Sequence, residues 1–437
     1  SCHPLLKDRW KDVTGNANFL FSYDDGSGRH PVTQNARIRE AWERYYAAGD
    51  ANAPVMQCLI TGRTERAALI HPSIKGVRGA QSSGASLVSF NAPAFCSYGH
   101  GQGANAPVSE YAAFAYTTAL NALLADRKHC KLIGDTTVVC WAENAGPAYA
   151  DLGVYALFGP PADTGVQDED VSRALALLAK GQACEFLEQT LLPDQHVYFL
   201  GLAPNAARLS VRFFLRDSLE HFAAHIRAHE AALKIIRPSF DTRMRLSIWD
   251  LARETARRGS DGKYADPAPQ LTGDLLRAAL TGGRYPATLL NGVTIRIRAE
   301  HAVTRGKAAI LKAYYTRNPS LLVPKEVLTV ELNEQSSYQP YVLGRLFAVL
   351  EAIQDAANPG INTTIKDKYF NSACATPSVV FPALIKLAQK HLQKLGQGSK
   401  VFYNRQLTEL IGRMTQTYPA RMTLPEQGAF EIGYYHQ

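Results

Sequence analysis

The rhythm of apolar positions changes once along this chain, near residue 240. Before it, short runs alternate apolar with polar residues or gather β-branched ones, and each reads as a strand. Val55–Thr61 is one such run, with Ala67–Leu69 beginning its partner across a turn at Gly62–Glu65. Ser86–Asn91 alternates as a half-buried strand, and Asp135–Ala142 is rich in β-branched residues. His196–Leu202 and Leu209–Leu215 read as hairpin arms joined by the polar tip Ala203–Arg208. Helical spacing falls between these runs. Asn35–Ala47 places Ile38, Trp42 and Tyr45 on one face, and Ser109 looks like the N-cap of a helix over Glu110–Asp126. Val171–Lys180 and Asp217–Ile235 are further helices, whereas Asp151–Asp168, with Pro160, Pro161 and Gly165, reads as a loop.

From Arg245 the period becomes helical. Helices are expected at Ser247–Arg257, Leu271–Thr281, Leu289–Tyr315, Tyr341–Ala356, Thr364–Phe370, Ser378–Leu395 and Asn404–Tyr418, with Leu424–Gln437 as an irregular tail. The expected fold class is therefore α+β. It consists of an N-terminal mixed α/β sheet domain with β-hairpins over residues 1–240, a basic helical region over 241–325, and a C-terminal all-α helical bundle over 326–437. A sheet of the ferredoxin-like kind is compatible with the order of elements, which does not fix its topology. No repeat of fixed period is visible.

The 437 residues are 46% hydrophobic, enough to build sizeable cores without a disulfide or metal staple. Seven cysteines, an odd count with no CxxC pair, argue for reduced thiols and a reducing cytoplasm rather than a zinc ribbon. No apolar run reaches the roughly 18 residues of a membrane span, and the first residues show no signal pattern. The formal charge of +8 changes the picture because of where it sits. Lys234–Arg317 holds sixteen Lys and Arg against seven Asp and Glu, so the rest of the chain is close to neutral. Such a block is an electrostatic footprint for a polyanion, most simply a phosphate backbone. Arg243, Arg245, Arg257, Arg258, Arg296, Arg298, Lys307 and Lys312 are its candidate phosphate contacts. Lys386, Lys390 and Lys394, four residues apart on one helix face, suit a phosphate track as well as a solvated helix.

Three loops and clusters could carry chemistry. Gly99–Gly103 lies between a strand and a helix, where backbone N–H groups can face an anion. It is neither a dinucleotide fingerprint nor a Walker loop. Asn91, Gln102 and Asn105 beside it could present amides to base edges. Asn205 and Arg208 sit at the hairpin tip, a rigid finger able to enter a groove. His221, His225 and His229 follow one another at four-residue spacing, and a solvated histidine face suits them better than a metal site. Asp135 and Glu143 flank one strand and read as caps or surface charges before metal ligands. No nucleophile elbow or protease-like cysteine context occurs, so no catalytic residue is assigned.

Several longer segments resemble one family. Gly84–Asn91 is followed by Ala94-Phe95, Ser97-Tyr98-Gly99, Gln102 and Asn105–Ser109. Gly134–Val139 with Trp141–Glu143 comes next in the family's order, then Leu343–Glu351, Thr364–Phe370, Ala373–Pro377 and Gly433–Gln437. Together these resemble the large subunit of the type I-C CRISPR Cascade surveillance complex, from about Asn35 to the last residue. The family pattern extends further on the N-terminal side. The resemblance implies a non-catalytic subunit, without cofactor or metal, in a prokaryotic cytoplasm. Such a subunit lies beside the guide RNA, recognises the protospacer-adjacent motif in duplex DNA, helps open the duplex and guides the displaced strand. It also supports docking of a separate helicase-nuclease. The implied partners are CRISPR RNA, target DNA, the helicase-nuclease, and the backbone, handle-binding and small subunits, and the C-terminal helical region would resemble the small subunit. Leaving sequence reading to guide pairing fits a chain with a basic block and few catalytic signatures. Two other readings stay open on the residues alone: a guide-RNA-binding or RNA-processing subunit, and a metal-dependent nuclease using Asp135, Glu143 or the histidines.

Overall fold

A computed structural model describes residues 10–15, 19–48, 52–259, 262–414 and 417–437. The chain gathers into two packing units. The first comprises Ser1–Gly76, Ala80–Ala122 and Ala206–Leu209; the second comprises Val77–Gly79, Leu123–Asn205 and Ser210–Gln437.

The first unit is built from small pieces. Two short hairpins pair β1 (Ser22–Asp24) with β2 (Arg29–Pro31) and β3 (Val55–Gln57) with β4 (Thr64–Arg66). The partner of β3 lies three residues earlier than the expected Ala67–Leu69, and Ala67 instead bridges Ser109. A helix covers Ala36–Ala48, and the larger part of Glu110–Ala125 belongs here too. Ser109 caps the latter, its Oγ accepting from the Ala112 N–H at 3.3 Å. The small core consists of Cys58, Ala68, Val108, Ala112 and Ala113. Ser86–Asn91 is not a strand: it makes one parallel bridge, Ser86 with Arg208, and no ladder. The segment bends at Leu87 and Val88 and is half-buried throughout Ser86–Phe90, so its alternating sequence marks no strand.

The second unit holds a four-stranded sheet, β5 (Cys130–Ile133), β6 (Thr136–Ala142), β9 (His196–Asn205) and β10 (Arg208–Ser218), of which β10 enters this unit at Ser210. Its order is β10-β9-β6-β5. β5–β6 and β6–β9 are antiparallel, and a two-residue turn at Ala206 (φ 52°) joins β9 to β10. Sheet neighbours follow one another in sequence, so the sheet is a meander, not the interleaved ferredoxin-like order. Between β6 and β9 comes an excursion that includes the hairpin β7 (Cys184–Phe186) and β8 (Gln189–Leu191). The same excursion contains a helix, Ala148–Phe158, where a loop was expected. Its residues Ala148–Leu157 are all buried, so it is apolar all round and has no amphipathic stripe to betray it. Gly153 faces the Phe199 ring and Cys140 Sγ, where an added Cβ would lie 2.9 and 3.2 Å away.

The helices after residue 240 pack on the same core as the sheet, which runs without interruption from Ile133 to Ile432. The stretch expected as one helix over Leu289–Tyr315 is two, Ala287–Glu300 and Arg305–Arg317. His301 turns left-handed (φ 50°), and Thr304 restarts the chain by accepting from Lys307 N–H. Gln339–Ala357 is the central buried helix, against which lies Leu424–His436, the expected irregular tail. Gly344 and Gly433 let these two backbones touch: a Cβ on either would collide with a carbonyl of the other helix. Tyr341 Oη and His436 Nδ1 bond at 2.9 Å across the pair. Helices Ile248–Arg253 and Pro269–Thr281 precede these elements, and Ile365–Ala375, Pro377–Leu392 and Gln397–Gly412 lie between the two central helices in sequence. No described helix is long and apolar enough to cross a membrane.

Candidate nucleic-acid interface

In the first unit the glycine-rich loop is held rigid from within. Asn105 Oδ1 accepts from Ser97 N–H at 2.8 Å, while its Nδ2 donates to the carbonyls of Gln102 (2.9 Å) and His100 (3.1 Å). This amide is spent on the loop itself and faces no base edge in this conformation. Gly103 meets the backbone of Ala68, where any Cβ would clash, and Gly99 adopts φ 74°. Two non-glycine residues share the left-handed region, Tyr98 (φ 54°) and Gln102 (φ 43°). Tyr98 is 97% exposed, so the strain buys no packing. Strained, exposed residues on a stapled loop are characteristic of a binding loop.

Arg208, which belongs to the same unit, lies beside this loop. The Arg208 guanidinium donates to Asn91 Oδ1 and sits over the Phe95 ring, 4.2 Å from its centroid. Asn91 and Gln102 line one cavity of about 130 Å³. The structure thus brings Asn91, Gln102 and Arg208 into one cluster. Asn105 is its staple, and Asn205, exposed at the end of β9, groups with the second unit. Sequence reasoning missed His71, which lines the same cavity. It is buried, its Nδ1 bonds Tyr116 Oη at 2.7 Å, and its Nε2 has no partner among the described residues. Burial lowers its pKa, so the imidazole is neutral near pH 7. A lone histidine in an apolar stretch, between Ile70 and Pro72, gave no signal.

The basic block resolves into two populations. Most of its cations hold the second unit together. Arg243 is gripped by Asp241 (3.0 Å) and Asp250 (3.1 Å), and Arg305 joins Asp241 at 3.2 Å. These guanidinium partners, Arg243 first, hold the Asp241 carboxyl well below the usual range. Arg245 spans Asp168 (3.5 Å) and Glu230, and donates to the Ala156 carbonyl. Arg296 meets Glu300 at 3.8 Å, and Arg298 donates to Gln427 at 2.8 Å. Lys307, 2% exposed, pairs with Glu300. Lys312, 4% exposed, donates to the Ala232 carbonyl at 2.8 Å, and burial brings its pKa down to about 8. Neither lysine reaches a phosphate backbone from that depth. Arg257 and Arg258 are exposed. With Arg253 and Lys263 they form a basic ledge around Tyr264, whose centroid lies 5.2 Å from the Arg253 guanidinium and 5.8 Å from that of Arg258. Lys386, Lys390 and Lys394 are exposed as well, Lys394 donating to Asn358.

Against these sites stands one comparison. The chain matches the family of CRISPR-associated protein (Cas_Csd1) from residue 1 to residue 437. It belongs to that family. No curated protein matches it.

The other candidate groups of this CRISPR-associated chain have partners within the fold. The three histidines do not make a solvated face. His221 is exposed beside Asp217, His225 Nδ1 bonds the Leu280 carbonyl at 2.8 Å, and His229 is buried against Tyr285 Oη at 2.6 Å. Burial takes the His229 pKa down to about 3. The helix descends into the core, so its histidine row runs from water to interior. Among the described residues no three His, Cys, Asp or Glu gather where they could hold a metal. Asp135 pairs with Arg212 at 2.7 Å and Glu143 with Arg216 at 3.3 Å, strand-end charges as expected.

Proposed function

We propose that this member of the Cas_Csd1 family is the non-catalytic large subunit of a type I-C Cascade complex. In this role it reads the protospacer-adjacent motif in duplex DNA, helps unwind the target, guides the non-target strand and supports recruitment of the helicase-nuclease. Its partners are CRISPR RNA and the backbone, handle-binding and small subunits, and residues 326–437 take the part of a small subunit. One observation carries the reading: the stapled, strained loop Ser97–Asn105 sets Gln102 beside Asn91 and the aromatic-backed Arg208 on one exposed surface. Amides and a guanidinium on rigid supports are the groups that read base edges. The ledge of Arg253, Arg257 and Arg258 and the lysine row Lys386, Lys390 and Lys394 supply backbone contacts, which position without specifying.

The test replaces Asn91, Gln102 and Arg208 singly by Ala in the assembled complex. Loss of one base contact lowers the preference for the correct motif by ~1–3 kcal/mol. A uniform loss over all duplexes would make the cluster a backbone contact, and competition by guide RNA alone would favour an RNA-binding role.

A further inference from the structure

The sheet of the second unit has two unlike faces. Val138, Cys140, Val197, Phe199 and Phe213 point into the core. Of the alternate positions, Thr137, Val139 and Leu202 are buried, whereas towards the other end Trp141 and Tyr198 are half-buried and Phe214 is exposed. The accessible part of an antiparallel sheet face is ordinarily polar; here it holds three rings in mutual contact. Trp141 and Tyr198, paired in register, are parallel with centroids 5.1 Å apart. Phe214 tilts 34° to both, at 6.2 and 6.0 Å, and is 56% exposed. Tyr198 Oη is fixed between Arg216 Nε (2.9 Å) and Glu143 Oε2 (3.0 Å).

Charge on the same face decides what suits it. β10 is an edge strand, and its alternation sets Arg212, Phe214 and Arg216 side by side along that edge. Arg78, exposed, is anchored on the same face through its N–H to Thr137 Oγ1 at 3.3 Å. Arg212 pairs with Asp135 and Arg216 with Glu143, and the exposed Arg78 adds a further positive charge. The Arg216–Glu143 pair joins two half-exposed side chains and contributes little, so a phosphate can take the guanidinium. An aliphatic patch would suit a protein surface, whereas flat rings bracketed by guanidiniums suit bases, every one of which has a π-face.

We propose that Trp141, Tyr198 and Phe214 form a stacking platform for the unpaired bases of a single nucleic-acid strand, whose phosphates follow Arg212 and Arg216. The site rests on the reading of the chain as a DNA-handling subunit and says where an opened strand lies.

The probe is an oligothymidylate of about 20 nucleotides, longer than the ~4–16 that one such site covers. It is added to the full chain with Trp10, Trp42 and Trp249 changed to Phe, so that Trp141 alone reports. Stacking quenches Trp141, and Phe214→Ala weakens binding about 5- to 150-fold, the equivalent of one lost base stack, while Phe214→Tyr restores it. The preference between duplexes with correct and incorrect motifs stays unchanged in Phe214→Ala. Unquenched Trp141, or wild-type affinity in Phe214→Ala, overturns the platform. So does a Phe214→Cys thiol that maleimide labels in the free chain but not after assembly with the other subunits without nucleic acid, since the face is then a protein contact. Quenching together with absent motif preference supports the platform and removes the motif-reading role instead.

Discussion

Glu431 sits in the middle of the helix Leu424–His436 and is 2% exposed. Burial pushes its carboxyl from the usual 4.5 up to about 8, and the nearby charges of Arg298 and Lys307 only partly oppose this. The folded chain therefore binds a proton that the unfolded chain releases between about pH 4.5 and 8. Stability contributed by this group is fully present below the unfolded value and is lost as pH rises through the folded one. Each unit of pKa difference is worth about 1.4 kcal/mol. At pH 7 roughly 2.5 units of the window have been crossed, a loss of about 3 kcal/mol. Glu431→Gln keeps the shape and removes the ionisation. It is expected to match the parent protein near pH 4.5 and to exceed it by about 3 kcal/mol at pH 7. Urea unfolding at several pH values reads this as a midpoint gap that widens with pH at constant slope. Because every other group titrates in both proteins, the difference isolates this carboxyl. A gap independent of pH, or one that widens on acidification, would refute the reasoning.

Gly433→Ala presses a Cβ onto the Tyr341 carbonyl, and overpacking of this kind costs ~1–3 kcal/mol; an unchanged urea midpoint would contradict the close helix contact. Asn105→Ala removes three hydrogen bonds from the loop, so the Ser97 amide loses protection in hydrogen exchange, whereas retained protection would show that the loop holds without its staple. Replacing Arg257 and Arg258 together lowers the salt slope of DNA binding by about two units, one per phosphate; an unchanged slope removes the ledge from the interface. Lys307→Met behaves oppositely: it leaves Glu300 without its lysine partner, lowers stability and leaves the salt slope as it was. A changed slope would put Lys307 back among the phosphate contacts.

Amphipathic elements were legible in the sequence, and those without a stripe were not. The helices at Leu219–Leu233 and Gln339–Ala357 and the hairpin β9–β10 appear close to where their patterns put them. Ala148–Phe158 is hidden by uniform burial. The helix Leu424–His436 carried a readable start: Thr423 and Glu426 form a capping box, with Pro425 in the first turn. The break at His301 is a backbone conformation that no side-chain pattern encodes. At the site, local chemistry pointed to the right loop but not to which amides stay free, because Asn105 turns inward and Gln102 outward only in three dimensions. Charge counting found the basic block yet overcounted its surface. Asp241, Asp250 and Glu300 are paired with the block's own Arg243, Arg305 and Lys307, and pairing of that kind is invisible in a sum.

The most direct test of the account is binding of the assembled complex to two target duplexes that differ only in the adjacent motif, at two salt concentrations, with and without this chain. The account predicts a preference for one motif that disappears when the chain is omitted and is weakened by Arg208→Ala at both salts. Equal affinity for the two duplexes with the chain present would contradict it.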